Sequence, residues 1–181
     1  MLAITENPLM EQLAEEFGHP TFTAFPVIVA RLLLAALFGA AIGFEREWRN
    51  RPAGLRTHIL ICVAAAIYAL LSIEIMHAPM FADEQARFDP IRVVEAVTAG
   101  VAFLAAGIVI FTRGEVHGLT TGAGMWLAGA IGLAVGLGYW QIALVATLLA
   151  VVVLGLLHAV SGRYHGKRRR PASDMTDDGK G

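Results

Sequence analysis

Five long apolar segments, each close to the length that crosses a lipid bilayer, constrain how this chain of 181 residues can fold. They cover residues 25–44, 58–76, 93–111, 119–138 and 139–160. A helix of about 20 residues, rising about 1.5 Å per residue, crosses a hydrocarbon core of roughly 30 Å. The sequence therefore predicts an all-α membrane protein built as a bundle of five transmembrane helices.

Charged side chains are few, and nearly all of them lie outside these five segments. They make up 16% of the sequence, whereas roughly 25% is usual in soluble domains. A nucleic-acid-binding protein would instead carry a basic face or stripe. This distribution indicates a protein whose main partner is the lipid bilayer and which has no nucleic-acid partner.

The basic residues predict an orientation. If the N-terminus lies outside, eleven of the fourteen lysines and arginines fall on the inner side. These eleven are Arg46, Arg49, Arg51, Arg56, Arg113, Arg163, Lys167, Arg168, Arg169, Arg170 and Lys180. Because an excess of lysine and arginine marks cytoplasmic loops, we expect the N-terminus outside and the C-terminus inside.

The segments divide the chain into three parts. Residues 1–24 form an outer, periplasmic part, residues 25–160 the transmembrane domain, and residues 161–181 a polar tail that we expect to be disordered in the cytoplasm. In the first part a good helix start precedes apolar residues on one face, namely Asn7 and Pro8 followed by Leu9, Met10, Leu13, Ala14 and Phe17. This pattern favours a short amphipathic helix on the membrane surface, with a frayed tail as the alternative.

The first connector, GFEREWRNRPAGLRTH at residues 43–58, concentrates charge between two apolar segments. The residue before a proline disfavours helix, so Asn50-Arg51-Pro52 should end the first helix. Gly54 would then allow the reversal, and Thr57 would cap the second helix. Two hypotheses stay open: a clamp that sets topology and folding, or a clamp that also docks a partner or an ion.

The two glutamates of this connector lie where a helix dipole disfavours anions. Glu45 and Glu47 therefore need cationic partners, and the nearest are Arg49, Arg51 and Arg56. If the connector docks a partner, Glu45 and Glu47 would hold its shape while Arg46, Arg49, Arg51 and Arg56 make the contact. The full set of candidate residues here is Glu45, Arg46, Glu47, Arg49, Arg51, Gly54, Arg56, Thr57 and His58.

A second group of charges lies at membrane depth on the predicted outer half. Intramembrane charges are costly and usually pair or face a polar cavity, so Arg31 should pair with Glu74 or Glu95. The group also includes Asp89 and Arg92. An ion pair that locks helices is one reading, and an ion-binding or pH-sensing cluster is the other. Paired glutamates could also bind Mg²⁺ through oxygen, although their spacing does not require it, and no cofactor is expected.

Small residues recur at intervals of four on two segments. Gly39 and Gly43 do so on the first, and Gly124, Ala128, Gly132 and Gly136 do so on the fourth. Such stripes let helices approach closely, which favours packing within the chain, with a homodimer as the alternative. At the cytoplasmic end of the fourth segment, Thr120, Thr121 and Trp126 could meet the first connector, or the threonines could bond to their own helix.

Catalytic signatures are missing from the sequence. There is no Walker A loop, no HExxH and no GxSxG, and the histidines never fall four residues apart. The single cysteine, Cys62, excludes an intramolecular disulfide. We therefore expect a protein that is not an enzyme.

Three stretches resemble the MgtC/SapB family of membrane proteins. They are RLLLAALFGAAIGFEREWRNRPAGLRTHILICVAAAIYALLS, DPIRVVEAVTAGVAFLAAGIVI and GLTTGAGMWLAGAIGLAVGLG, which stand in the family's order between residues 27 and 160. The residues carried over by position are Arg31, Glu45, Arg46, Glu47, Arg51, Gly54, Arg56, Thr57, His58, Asp89, Pro90, Arg92, Gly107, Gly118, Leu119, Thr120, Thr121 and Trp126. The sequence departs from the family pattern at Ala99, Ala102 and Ala105, which replace a serine and two glycines, and at Glu95, where glutamine is expected.

The resemblance implies a multi-pass protein of the bacterial inner membrane, linked to growth under magnesium limitation and, in pathogens, to survival in host cells. It implies a regulator of partner membrane proteins, the ATP synthase among them, or of ion homeostasis under low magnesium or acid stress. A small transporter or channel for Mg²⁺ or another ion is the alternative. Longer members carry a further C-terminal cytoplasmic domain, so the resemblance is to a short form.

Overall fold

The computed structural model describes residues 8–18, 20–78, 89–112 and 114–165. Its helices are α1 (Pro8–Phe17), α2 (Phe25–Trp48), α3 (Leu55–His77), α4 (Pro90–Ala106), α5 (Leu119–Gly136) and α6 (Trp140–His165). Strands β1 (Ile110–Thr112) and β2 (Glu115–His117) form an antiparallel hairpin between α4 and α5. Helices make up 79% of the structure, so the predicted helical class is confirmed at that level.

Three of the helices, α2, α3 and α5, are long and apolar enough to cross a membrane. The other two predicted spans fall short of that length in the described residues. Helix α4 has 17 residues, and the described apolar part of α6 covers Trp140–Gly155. Three helices therefore support the assignment as a membrane protein, and the count of five membrane spans is a proposal.

Helix α3 lies at the centre of the bundle, between α2 and α5. Its inward face consists of small residues, Cys62, Ala65, Ala66 and Ala69, all fully or almost fully buried. Larger side chains fill the space around them, notably Phe38 and Ile42 from α2 and Met125 and Ile131 from α5. Because small residues of α3 face larger residues of α2 and α5, the three helices approach closely. Such contacts are expected in a membrane, where van der Waals packing and not the exclusion of water holds helices together.

Contacts between the helices show that α2 runs antiparallel to α3 and to α5, and that α4 runs antiparallel to α5. At one end, Arg46 near the end of α2 reaches Thr121 near the start of α5. At the other end, Arg31 near the start of α2 reaches Gly136 at the end of α5. We call the first the connector end, because residues 49–54 join α2 to α3 there, and the second the far end.

The predicted third span, residues 93–111, is wrong at its C-terminal boundary. Helix α4 ends at Ala106, and the apolar residues after it enter the hairpin, in which Ile110 pairs with His117 and Thr112 with Glu115. Hydropathy does not separate a helix from a strand in a short apolar run. The turn is marked by Gly114, whose φ of +82° suits glycine. The all-α prediction therefore misses one small hairpin.

Helix α6 continues through His165, five residues past the predicted end of the fifth span, and the predicted domain boundary at residue 160 stays a prediction. Hydropathy marks where apolar residues stop, whereas a helix can continue through the polar residues that follow. The rest of the predicted tail, residues 166–181, lies outside the described residues.

Helix α1 occupies the place expected for the amphipathic helix. Leu9, Met10, Leu13 and Phe17 are all exposed on it. The predicted capping residue, Asn7, lies outside the described residues.

Candidate functional site

The connector between α2 and α3 is a short, well-defined turn. Asn50, with a φ of +52°, follows the last helical residues of α2. Arg51 N donates to Arg46 O at 3.1 Å, and Asn50 N donates to Glu47 O at 3.0 Å. These two bonds and a left-handed residue form a Schellman motif, which satisfies carbonyls at the helix end. The reversal predicted at Gly54 occurs at Asn50 instead, because asparagine tolerates this conformation.

Glu47 caps the start of α3. Its Oε2 accepts a hydrogen bond from Leu55 N at 2.8 Å. Glu47 was expected to need an arginine, but its carboxylate faces the positive end of the α3 dipole and one of that helix's free N–H groups. Thr57 was expected to cap α3 and instead lies within its first turn, while the N-cap residue, Gly54, has no side chain to use.

Glu45 and Arg49 form an ion pair along the last turn of α2. Arg49 Nε contacts Glu45 Oε1, and the Glu45 side chain is 13% exposed. The second oxygen, Oε2, is buried without a hydrogen-bond partner among the described residues. Arg49 Nη2 also lies 3.5 Å from Gly155 O of α6, at the limit of a hydrogen bond. The pair supplies the cation that Glu45 was expected to need.

Arg46 points into the bundle. It is 4% exposed, and its Nη2 donates to Thr121 Oγ1 of α5 at 2.7 Å. Its Nε is buried without a hydrogen-bond partner among the described residues. A buried guanidinium is costly unless it is paired and hydrogen-bonded. The nearest negative charge is Glu45, so the ion pair on α2 also stabilises this buried cation.

His58 lies beside Arg46 and is fully buried on α3. Its Nδ1 donates to Gly54 O at 2.9 Å, which leaves Nε2 as the acceptor of a neutral ring. Nε2 has no partner among the described residues, and a Cβ at Gly124 would lie 3.3 Å from it. We call the group Glu45, Arg46, Glu47, Arg49, His58 and Thr121 the connector cluster.

The remaining candidates at this end lie outside the connector cluster. Arg51 and Arg56 are exposed, as are Thr120 and Trp126 on α5. The four arginines that the sequence treats as one docking group thus divide into two pairs. Arg46 and Arg49 contact their own protein, and Arg51 and Arg56 face outward.

At the far end, the expected pairing of Arg31 with a glutamate is wrong. Arg31 Nη1 donates to Gly136 O at 2.9 Å, a carbonyl at the C-terminal end of α5, where a cation is favoured. Glu74 accepts from Phe22 N at 2.7 Å and Thr23 N at 2.9 Å, just before α2. Backbone groups thus supply the hydrogen bonds of both charged side chains, and residue types do not reveal this choice.

The other far-end charges are on α4. Asp89 caps this helix by accepting from Ile91 N at 3.0 Å, and Arg92 and Glu95 are exposed. The structure therefore does not gather the five predicted far-end charges into one cluster. Within the described ranges, no group of three His, Cys, Asp or Glu residues is placed to hold a metal ion.

The family profile that matches this sequence is that of the MgtC family, over residues 32–163. The matched range contains the whole connector cluster. The chain belongs to the MgtC family.

Several curated members are similar over most of this MgtC family chain. "Putative magnesium transporter YhiD" of Escherichia coli is 34% identical over 139 residues, 77% of this chain and 64% of that protein. Protein SrpB of Synechococcus elongatus is 38% identical over 132 residues, 68% of this chain and 71% of that protein. Protein MgtC of Salmonella typhimurium is 37% identical over 141 residues, 78% of this chain and 56% of that protein.

This MgtC family chain thus spans less than two thirds of the length of YhiD and of the Salmonella MgtC. No solved structure matches it.

The glycine stripes of the family region lie against α3. A Cβ on Gly39 would lie 2.7 Å from His58 O, and one on Gly43 would lie 2.7 Å from Leu55 Cα. From the other side, a Cβ on Gly132 would lie 2.8 Å from Cys62 Cα, and one on Gly136 would lie 2.6 Å from Ala66 O. Real Cβ atoms do not approach so closely, so α3 is held between two glycine faces.

Sequence reasoning missed two interactions of this site. Cys62 Sγ donates to Ala128 O at 3.0 Å, which ties α3 to α5 beside the glycine contact. At the far end, the rings of Phe22 and His77 stack with centroids 3.5 Å apart. The spacing of small residues around Ala128 is a signal for the first, whereas nothing in the local sequence indicates the second.

Proposed function

We propose that this MgtC family protein is a non-enzymatic, multi-pass protein of the bacterial inner membrane that regulates partner membrane proteins when magnesium is scarce. Five spans, an outer N-terminus and a cytoplasmic connector end belong to this proposal. The alternation of helix direction supports it, together with the excess of lysine and arginine on one side. On this basis Arg51 and Arg56 face the cytoplasm.

The observation that carries the proposal is the division of the connector arginines. Arg46 and Arg49 are used within the protein, and their contacts fix the last turn of α2. The Schellman turn and the Glu47 cap then hold the short segment between α2 and α3 in one shape. Arg51 and Arg56 are exposed on this fixed support, where two cations at a membrane surface suit an acidic partner surface.

This site suits regulation by contact with a partner, because its buried residues hold the helices together. His58, Arg46 and Thr121 lie where α2, α3 and α5 meet, and the glycine contacts begin directly beside them. A partner that binds the exposed Arg51 and Arg56 therefore acts on a turn that is directly connected to the packed helices. A partner such as the ATP synthase or another inner-membrane protein fits this description, and a homo-oligomer is a further possibility within the proposal.

The test is growth of a strain that lacks its own copy, in medium with limiting magnesium. Wild type should restore growth, and Arg51→Gln with Arg56→Gln should not, at equal abundance in the membrane. The matched control is Arg51→Lys with Arg56→Lys, which keeps both charges and should restore growth at least in part. Full rescue by the glutamine variant would overturn docking through these two residues.

Transport of Mg²⁺ is the second candidate, and the name of the Escherichia coli relative favours it. A carrier needs polar groups along a path through the bundle. Arg31 and Glu74 lie at the far end of the bundle, where their hydrogen-bond partners are backbone groups. Glycines of α2 and α5 bring both helices into close contact with α3. These contacts favour the regulator, whereas saturable Mg²⁺ entry into vesicles that contain only this protein would favour the carrier.

A further inference from the structure

A groove runs between α3 and α4, because α4 packs chiefly against α5. Gly129 and Gly122 of α5 allow this packing: a Cβ on Gly129 would lie 3.0 Å from Val101, and one on Gly122 would lie 3.4 Å from Ala105. An open groove of about 800 Å³ lies between α3 and α4 as a result. Small-molecule sites in proteins have volumes of roughly 300–1,000 Å³.

The walls of the groove are apolar along most of their length. Large apolar side chains line it on both sides, among them Ile61, Leu71, Val93 and Leu104. Small residues, notably Gly100, deepen its middle, and a Cβ on Gly100 would meet no atom within 4 Å. This space is therefore open to an apolar occupant.

Charged side chains among the described lining residues lie at the far end of the groove. They are Asp89 and Arg92, with the Ser72 hydroxyl nearby, while the Tyr68 hydroxyl is the other polar group of the lining. The Ser72 hydroxyl donates to Ala69 O at 2.7 Å, and Asp89 caps α4 by accepting from Ile91 N. Asp89 is thus engaged at Oδ1 in capping α4, and the exposed guanidinium of Arg92 is the cation that the described part of the lining offers to a ligand.

We propose that the groove binds a phospholipid with an anionic headgroup, with one acyl chain along the apolar walls and the phosphate against Arg92. An amphiphile with a single charged end matches a groove whose charged groups lie at one end. An apolar helix of a second copy would fit less well, because it would cover the Arg92 charge without supplying a counter-charge. This site is independent of the proposed regulatory role and of the connector cluster.

Gly100 offers a direct test. Gly100→Leu places a side chain in the groove without meeting an atom of the protein at Cβ, so the variant should fold. The matched control is Gly155→Leu on α6, where a Cβ also meets nothing within 4 Å and which does not line this groove. The full chain, purified in detergent, would be titrated with a phosphatidylglycerol and with a phosphatidylcholine of the same acyl chains. Bound lipid would be counted by native mass spectrometry.

Wild type and Gly155→Leu should retain one phosphatidylglycerol per chain, and Gly100→Leu should bind it at least about tenfold more weakly because the space is filled. Arg92→Gln should weaken phosphatidylglycerol binding about fivefold, the factor that roughly 1 kcal/mol of headgroup attraction gives, and should weaken phosphatidylcholine binding less, because the choline cation offsets its phosphate. Equal retention by wild type and Gly100→Leu would overturn the site. Conversion of a dimer to a monomer by Gly100→Leu, with lipid retention unchanged, would assign the groove to a second copy and overturn it too.

Discussion

Arg46 Nη2 lies 2.7 Å from Thr121 Oγ1, and this buried hydrogen bond joins the end of α2 to the start of α5. It crosses the connector end beside His58, where α3 also begins. One side chain from a charged connector thus joins two of the three helices that are long and apolar enough to cross a membrane, beside the start of the third. A charged residue of the connector therefore serves helix packing.

The bond between Arg46 and Thr121 can be measured by a double-mutant cycle. Arg46→Met keeps the length of the side chain, and Thr121→Val keeps its shape. Each alone should lower the free energy of unfolding by about 1–3 kcal/mol, and the two together should cost less than their sum by about 1–2 kcal/mol. Melting in detergent measures all three variants. Thr147→Val is the control, because Thr147 bonds only to Ala143 O on its own helix, and additive effects of Arg46→Met and Thr121→Val would refute the coupling.

Glu45→Gln should lower the melting temperature. The change removes the charge that stabilises Arg49 and the buried Arg46, at a cost of about 1–2 kcal/mol. Glu115→Gln is a suitable comparison, because the Glu115 side chain is 80% exposed in the hairpin. Unchanged melting of Glu45→Gln would mean that this ion pair contributes nothing to stability.

The two glycine positions on α5 and α6 should respond in opposite directions to the same substitution. Gly132→Ala places a Cβ against the backbone of Cys62, so we expect a loss of at least about 1–3 kcal/mol. Gly155→Ala meets open space and should be neutral or stabilising by up to about 1 kcal/mol. Retained stability of Gly132→Ala in the same melting assay would show that α3 and α5 do not pack as described.

Glu74→Ala should loosen the segment before α2 without unfolding the bundle. The change removes the acceptor for Phe22 N and Thr23 N. Hydrogen exchange at these two amides should become about 5–30-fold faster, which corresponds to about 1–2 kcal/mol of local stability. The amide of Leu55, held by Glu47 at the other end of α3, should exchange as in wild type. Equal acceleration at all three amides would indicate global destabilisation instead.

The sequence predicts the helices better than it predicts their partners. Hydropathy places all five starts within three residues of the structure, and the fourth segment begins at Leu119 as expected. The predicted interaction partners of Arg31 and Glu47 are wrong for one physical reason. Each charged side chain is stabilised by the end of a neighbouring helix, and helix ends supply partial charges that residue types do not show. The hairpin after α4 was missed because a short apolar run has no helical or strand signature of its own.

The distinction between buried and exposed arginines also lies beyond the sequence. Arg46 and Arg51 are equally charged and five residues apart, yet one is buried and the other exposed. The helix ends between them, and the left-handed Asn50 turns the chain away from the bundle. The position of that turn and the face of α2 on which Arg46 lies separate these two arginines.

The central claim is that this protein acts on partners and does not itself carry Mg²⁺. The most direct measurement is Mg²⁺ entry into liposomes that contain the purified, folded protein, read by an internal indicator dye and compared with protein-free vesicles and with Glu95→Gln. We predict entry no faster than in the empty vesicles. Entry that saturates with Mg²⁺ concentration and is lost in Glu95→Gln would contradict the account and make the protein a transporter.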